Sequence, residues 1–258
     1  MAKRDDIKEL YNYPKICERV CLILFVCNVL ISVVYVFVFP IVQSILTLFL
    51  VFIPIVYLLI TLIDDGLLWF KAESERRKNA LQKAYGIILS EKDTEGYYNN
   101  NFDDPELSYA ANVFESLLFT KEISKKMLVC SFSKSIVAFL IFLAACRYVI
   151  SDDIFLIIAQ TVFSTLIVEE SLRLLVYSYK MNKLYDQAFN QFITLGITTN
   201  EQMIWLRWFC LEYECIKIHY KVRLNESIYN KLNSELSKQW EGMAIQIKSS
   251  NQTKKYTQ

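Results

Sequence analysis

The 258 residues carry 28 lysines and arginines against 27 aspartates and glutamates, one histidine, and 54% hydrophobic side chains. A soluble domain averages about 45–50% apolar residues, yet 21% of this chain is charged, so apolar and polar blocks must alternate along it. A formal charge of +1 gives no global reason to expect DNA or RNA as a partner, and 5 glycines with 4 prolines argue against a sheet-rich or disordered chain.

Residues 1–19 read as a polar leader carrying Lys3, Arg4, Lys8, Lys15 and Arg19. Residues 20–39 then run without a charge for about twenty positions, the length that crosses a hydrocarbon core. Pro40 closes this run, and residues 41–63 follow at once, again uncharged, up to Asp64-Asp65-Gly66. So short a turn makes the two helices antiparallel neighbours, a first transmembrane hairpin over residues 20–64. Pro54 lies inside the second run, where membrane helices tolerate proline and often bend. The first run is too long and lacks the small-residue cleavage site of a signal peptide, so it reads as an anchor.

Residues 65–127 form the next polar segment. The pattern predicts a helix over 67–89 that continues the second span as a stalk. A turn-rich stretch follows, Glu95-Gly96-Tyr97-Tyr98-Asn99-Asn100-Asn101. Asp103-Asp104-Pro105-Glu106 opens another helix, with Pro105 in its first turn, running through Phe114, Leu117 and Leu118 towards a third span.

Residues 128–179 read as a second hairpin. Residues 128–150 hold Lys134 near the start and Arg147 near the end, and Ser151-Asp152-Asp153 is another tight turn. Residues 154–179 are apolar for about fifteen positions before Glu169, Glu170 and Arg173 interrupt them. A buried hairpin of a soluble protein has the same pattern; the uncharged first hairpin favours the membrane. Residues 180–258 predict C-terminal helices: one ending at Gly196 as a C-cap, a fresh N-cap at Thr198-Thr199-Asn200, helices over 201–223 and 226–247, and a frayed tail over 249–258. The fold class expected is therefore all-α and integral to the membrane, with four transmembrane helices in two hairpins and cytoplasmic helical extensions. Lysine and arginine are scarce in the two hairpin turns and frequent elsewhere, which places both termini in the cytoplasm.

Chemistry leaves few traces. The chain has no nucleotide-binding glycine loop and no serine or cysteine credibly paired with a histidine, so no catalytic residue and no cofactor is expected. Cys210, Cys215 and His219 are too few and too widely spaced for zinc, and no metal is expected. The strongest physical signal is polar groups at membrane depth. Counted from the Asp152 turn, Lys134 lies about as far back as Glu169 and Glu170 lie forward, so an antiparallel hairpin would bring them to similar depth. A Lys134–Glu170 pair, or one with Glu169, would offset the desolvation of both. The alternative is that this level is already the headgroup zone, with Lys134 and Arg173 snorkelling. Gln160 and Thr161, near mid-membrane, bond a neighbouring helix or line a pore. Lys134, Arg147, Gln160, Glu169, Glu170 and Arg173 are the candidate intramembrane residues.

Several stretches resemble a known family. Glu95-Gly96-Tyr97-Tyr98-Asn99-Asn100, Asn112-Val113-Phe114-Glu115-Ser116 and Ile123-Ser124-Lys125-Lys126-Met127 look like the middle region of the SMODS-associated four-transmembrane effectors. Glu212-Tyr213-Glu214, Ile228-Tyr229-Asn230-Lys231-Leu232-Asn233 and Leu236-Ser237-Lys238-Gln239-Trp240-Glu241 look like that family's closing helices. The likeness runs from about residue 20 onward through loose motifs, and the leader departs from the family's polar start. The resemblance implies a bacterial anti-phage effector of the inner membrane that oligomerises and permeabilises the bilayer when a cytoplasmic signal, such as a cyclic oligonucleotide, engages it. Under that reading Tyr97, Tyr98 and Asn99 would meet a base, and Lys121, Lys125, Lys126 and Arg207 would meet phosphates. Each has a plainer role: the three lysines sit where any juxtamembrane segment collects positive charge. Trp205, Trp208 and Phe209 are expected to pack a helical core. The rival readings are a membrane-anchored scaffold that recruits a cytoplasmic partner, and a small channel or transporter subunit.

Overall fold

The computed structural model describes residues 4–95, 102–148, 154–157, 159, 169–197 and 199–255. Regular structure in these residues is helical, apart from a two-residue antiparallel pairing of β1 (Arg4–Asp5) with β2 (Thr94–Glu95). Three helices among them, Lys8–Phe37, Pro40–Tyr85 and Pro105–Ala144, are long and apolar enough to cross a membrane. Part of the expected fourth span, residues 158 and 160–168, lies outside the described residues, and Gln160 with it. The chain divides into two compact units.

The apolar unit comprises Asp6–Arg77 and Ser133–Glu170. A 3-10 turn at Lys8–Tyr11 leads into α1 (Asn12–Phe37), so the leader is already helical before the apolar run begins. Val38 and Phe39 are extended, and Pro40 opens α2 (Pro40–Ile63). A proline forces the residue before it out of the helical region and lacks only an N–H that a first turn leaves unbonded. The two helices touch: Gln43 Nε2 donates to the Tyr35 carbonyl at 3.2 Å, and Cys21 Sγ lies 3.8 Å from Thr61 Oγ1. Hydroxyls along both helices turn back onto their own backbone, Ser32 to the Asn28 carbonyl at 2.8 Å and Thr47 to the Gln43 carbonyl at 2.8 Å. In a bilayer such hydroxyls would have no other partner.

Not one residue of α2 is buried within the chain, although Leu48, Phe52 and Leu62 are among its exposed side chains. A contiguous apolar surface of that size on a soluble protein would be covered or would aggregate. Beyond α2 the helix widens into a π-turn at Asp64–Leu68 and resumes as α3 (Trp69–Tyr85). The leader docks on α3: the Tyr11 hydroxyl donates to Glu73 Oε1 at 2.9 Å, and the Arg76 guanidinium lies 5.7 Å from the Tyr11 ring centre.

The second unit, Met1–Asp5, Lys78–Phe132 and Ser171–Gln258, holds the core. α3 ends at Tyr85, earlier than the stalk predicted to residue 89, because Gly86 takes φ +67° and turns the chain. The returning loop is bonded to the helix it leaves: Gln82 Oε1 accepts from the Leu89 and Ser90 N–H groups, both at 3.0 Å. Fully buried Asn79 donates to the Lys92 carbonyl at 3.3 Å and accepts from the Thr94 hydroxyl.

The first part of α4 (Pro105–Tyr148) then packs against α5 (Glu170–Phe189), α6 (Asn200–Tyr220) and α7 (Glu226–Lys255). α4 and α5 run antiparallel, with Ser124 Oγ 3.4 Å from Ser178 Oγ and Ser131 Oγ 2.7 Å from Ser171 Oγ. Seven residues separate the serines on each helix, the spacing that returns to the same seam. Phe114 is the hub. Its ring centre lies 4.9 Å from Phe192, 5.5 Å from Tyr185, 5.8 Å from Trp240 and 6.5 Å from Phe209. Thr199 caps α6 with a capping box to Gln202, as the sequence signals. α7 continues to Lys255, so the tail expected to fray from residue 249 is helical over most of its length.

Candidate functional site

Of the charges that interrupt the fourth apolar run, Glu169 and Glu170 close the apolar unit and Arg173 lies on α5 in the packed unit. α5 buries Ser171, Leu174, Tyr177, Ser178 and Met181 on one face, the three-and-four spacing of a core-facing helix. Leu174 and Tyr177, which prolong the apolar pattern beyond Glu169 and Glu170, are core residues, and Tyr177 packs on Tyr220 at 6.1 Å. That stretch therefore belongs to the packed unit rather than to a continuous span. Glu169, Glu170 and Arg173 are exposed, as are Lys134 and Arg147 on α4. Lys134 makes no ion pair among the described residues. The Ser131–Ser171 contact sets Glu170 level with Phe132, two residues from Lys134, and a bonded Lys134–Glu170 pair is not formed.

The four candidate cations do not converge. The Lys121 ammonium sits over the Tyr185 ring, 3.6 Å from its centre, with Glu122 Oε1 at 3.7 Å. This part of α4 lies ahead of the apolar stretch that starts at Leu128. Burial there pushes the Lys121 pKa down, with neighbouring Lys125 adding to the shift and Glu122 opposing it. Lys125 pairs with Glu122 at 3.5 Å, and Lys126 points to solvent. Arg207 on α6 is committed elsewhere: its Nε donates to Glu106 Oε1 at 3.0 Å, which holds its pKa above the ordinary value. Two of the four are thus structural cations, one joined to the core aromatics and one tying α6 to the start of α4. Tyr97, Tyr98 and Asn99 lie outside the described residues.

No known protein family, curated protein or solved structure matches this chain. Its chemistry must be read from its own side chains.

Among the described residues, no group of histidine, cysteine, aspartate and glutamate is arranged to hold a metal ion. Burial pushes the Cys210 thiol well above its ordinary range, so it is inert at neutral pH. The feature that the residue pattern did not single out is a shallow cavity of about 380 Å³ lined by Gln187, Asn190, Gln191, Trp205 and Trp208. Phe209 is buried as expected, Trp205 is only half-buried, and Trp208 is 43% exposed. Trp205 packs against the core as expected, while Trp208 departs from that expectation. The one available signal was the carboxamide spacing at 187, 190 and 191, which puts three neutral polar groups on a single helix face.

Proposed function

We propose that the chain is a bacterial membrane effector: it inserts apolar helices into the inner membrane, assembles with copies of itself, and permeabilises the bilayer when a nucleotide-type signal engages its packed helical unit in the cytoplasm. The observation that carries this reading is the division of labour within α4. One uninterrupted helix of 44 residues contributes Phe114, Leu117 and Leu118 to the aromatic core and then continues as a candidate membrane-crossing segment. A change in packing at its first half has a direct path to its second. The resemblance of the quoted stretches to the SMODS-associated four-transmembrane effectors supports the same reading and adds anti-phage defence as its setting. A fourth span over the apolar residues that follow position 154 and end at Glu169-Glu170, with both termini in the cytoplasm, completes the proposed topology.

The test is membrane potential and dye entry in cells expressing the protein, with and without phage challenge. Depolarisation that follows the challenge and requires the full chain is expected. An intact potential under every condition, with the protein recovered in the membrane fraction, would refute permeabilisation and favour a membrane-anchored scaffold.

A further inference from the structure

The cavity at the junction of α5 and α6 has the makings of a recognition site. Its floor is aromatic and held in place: Trp205 stacks on Phe209 at 5.4 Å with 6° between the planes, and meets Phe192 edge-on at 6.4 Å. Its second ring, Trp208, stands 5.9 Å from Trp205 at 52° and is exposed. Its third side is amide. Gln187 comes from the last turns of α5, and Asn190 and Gln191 open the π-turn Asn190–Leu195. π-turns are rare and frequently fall at functional sites. None of the three carboxamides has a hydrogen-bond partner among the described residues, so each retains its donors and its acceptor.

These features select a ligand class. None of the five lining residues is charged, and nearby Arg207 is bonded to Glu106, so the lining itself offers an anion no counter-charge. An aliphatic ligand would cover three carboxamides and leave them unbonded, which costs roughly 1–3 kcal/mol each. A flat heterocycle satisfies both halves of the site. Its face stacks on indole, a contact worth about 1–3 kcal/mol per base, while its edge offers the adjacent donor and acceptor that a carboxamide reads in bidentate fashion. The volume lies within the about 300–1,000 Å³ range of small-ligand sites. The geometry points to a nucleobase site in which Trp205 and Trp208 stack the base, the larger purine face more strongly than a pyrimidine, and Gln187, Asn190 and Gln191 read its edge. The assignment deepens the proposed nucleotide response by giving it a location, and its meaning for signalling rests on that reading.

Binding can be tested apart from membrane activity. Full-length protein in phospholipid nanodiscs would be titrated calorimetrically with adenosine, guanosine, cytidine and uridine monophosphates, with inorganic phosphate and maltose as controls. Saturable purine binding is expected, with weaker pyrimidine binding and no response to phosphate. Trp208→Ala should weaken purine binding by about tenfold, Trp208→Phe should retain most of it, and Gln187→Ala with Gln191→Ala should erode the purine preference. All of these side chains lie at the surface, so folding should survive, and an unchanged melting temperature would verify it. No saturable nucleotide binding at millimolar concentration would overturn the site, as would binding indifferent to Trp208→Ala. A response to maltose in place of nucleotide would overturn it in favour of a carbohydrate site. Purine binding without any change in membrane potential would support the site and refute only the effector reading.

Discussion

Phe114→Ala should collapse the packed helical unit while leaving the apolar helices in the membrane. Phe114 is fully buried, and its ring meets four other aromatic rings from three helices and the π-turn. Removing the ring forfeits about 2 kcal/mol of transfer free energy. It also leaves a void of roughly 100 Å³, which adds about 2.4 kcal/mol at ~24 cal/mol per Å³. The edge-on and stacked contacts place the total at the upper end of the about 3–5 kcal/mol observed for such truncations. A domain of this size loses about 2–4 °C per kcal/mol, so a fall of roughly 10–15 °C in Tm is expected. Near-ultraviolet circular dichroism of the detergent-solubilised protein would follow the loss of aromatic packing. Phe114→Leu should cost far less, about 1–1.5 kcal/mol. A Phe114→Ala protein within about 1 kcal/mol of the parent would show that the aromatic hub is not the core of this unit.

Asn79→Ala would strip the buried bonds that hold the 86–95 loop to α3; a loss of about 1–3 kcal/mol, with new proteolytic cleavage confined to that loop, is expected. The same loop should respond to acid. The Lys83 ammonium, 2.7 Å from the Asp93 carboxylate, holds the Asp93 pKa below its ordinary value, so the loop is fully held above about pH 4 and released as pH falls through the lowered pKa. Lys83→Met should flatten that dependence in a limited-proteolysis series run from neutral pH to about pH 3. Among the thiols of α6, Cys215 should alkylate readily at pH 8 while Cys210, buried and held protonated, stays unmodified until the protein is unfolded; mass spectrometry of the modified peptides would read both.

How much of this was visible in the sequence depends on whether a signal is local. Pro40, Pro105, Gly196 and Thr199 act on their own neighbourhoods, and each marks a helix boundary where its backbone chemistry requires one. The apolar runs behind α1, α2 and the second half of α4 are likewise local, and three membrane-crossing candidates follow from them. Partnerships were not legible. Lys121 finds Tyr185 and Arg207 finds Glu106 only through tertiary packing, so two residues picked as free phosphate ligands are already engaged by other side chains of the fold. Counting residues from the Asp152 turn came within two positions of the α4–α5 register, but an ion pair needs side chains on facing surfaces as well as equal depth. Both π-turns were missed because a single extra residue barely disturbs a 3.6-residue pattern. One of them, Asn190–Leu195, supplies Asn190 and Gln191 to the cavity that exposed Trp208 also lines. Asn28 was passed over as well: its side-chain oxygen is buried in the apolar unit without a partner among the described residues, an unusual position for an amide in a span.

The proposed topology puts the apolar helices in lipid and the packed unit in the cytoplasm. Two native cysteines test it directly, Cys27 on α1 and Cys215 on α6, both exposed on the folded chain. Labelling with a membrane-impermeant maleimide should leave both untouched in intact cells, mark Cys215 in inside-out vesicles, and reach Cys27 only after detergent. Labelling of Cys215 from outside the cell, or of Cys27 without detergent, would contradict the account.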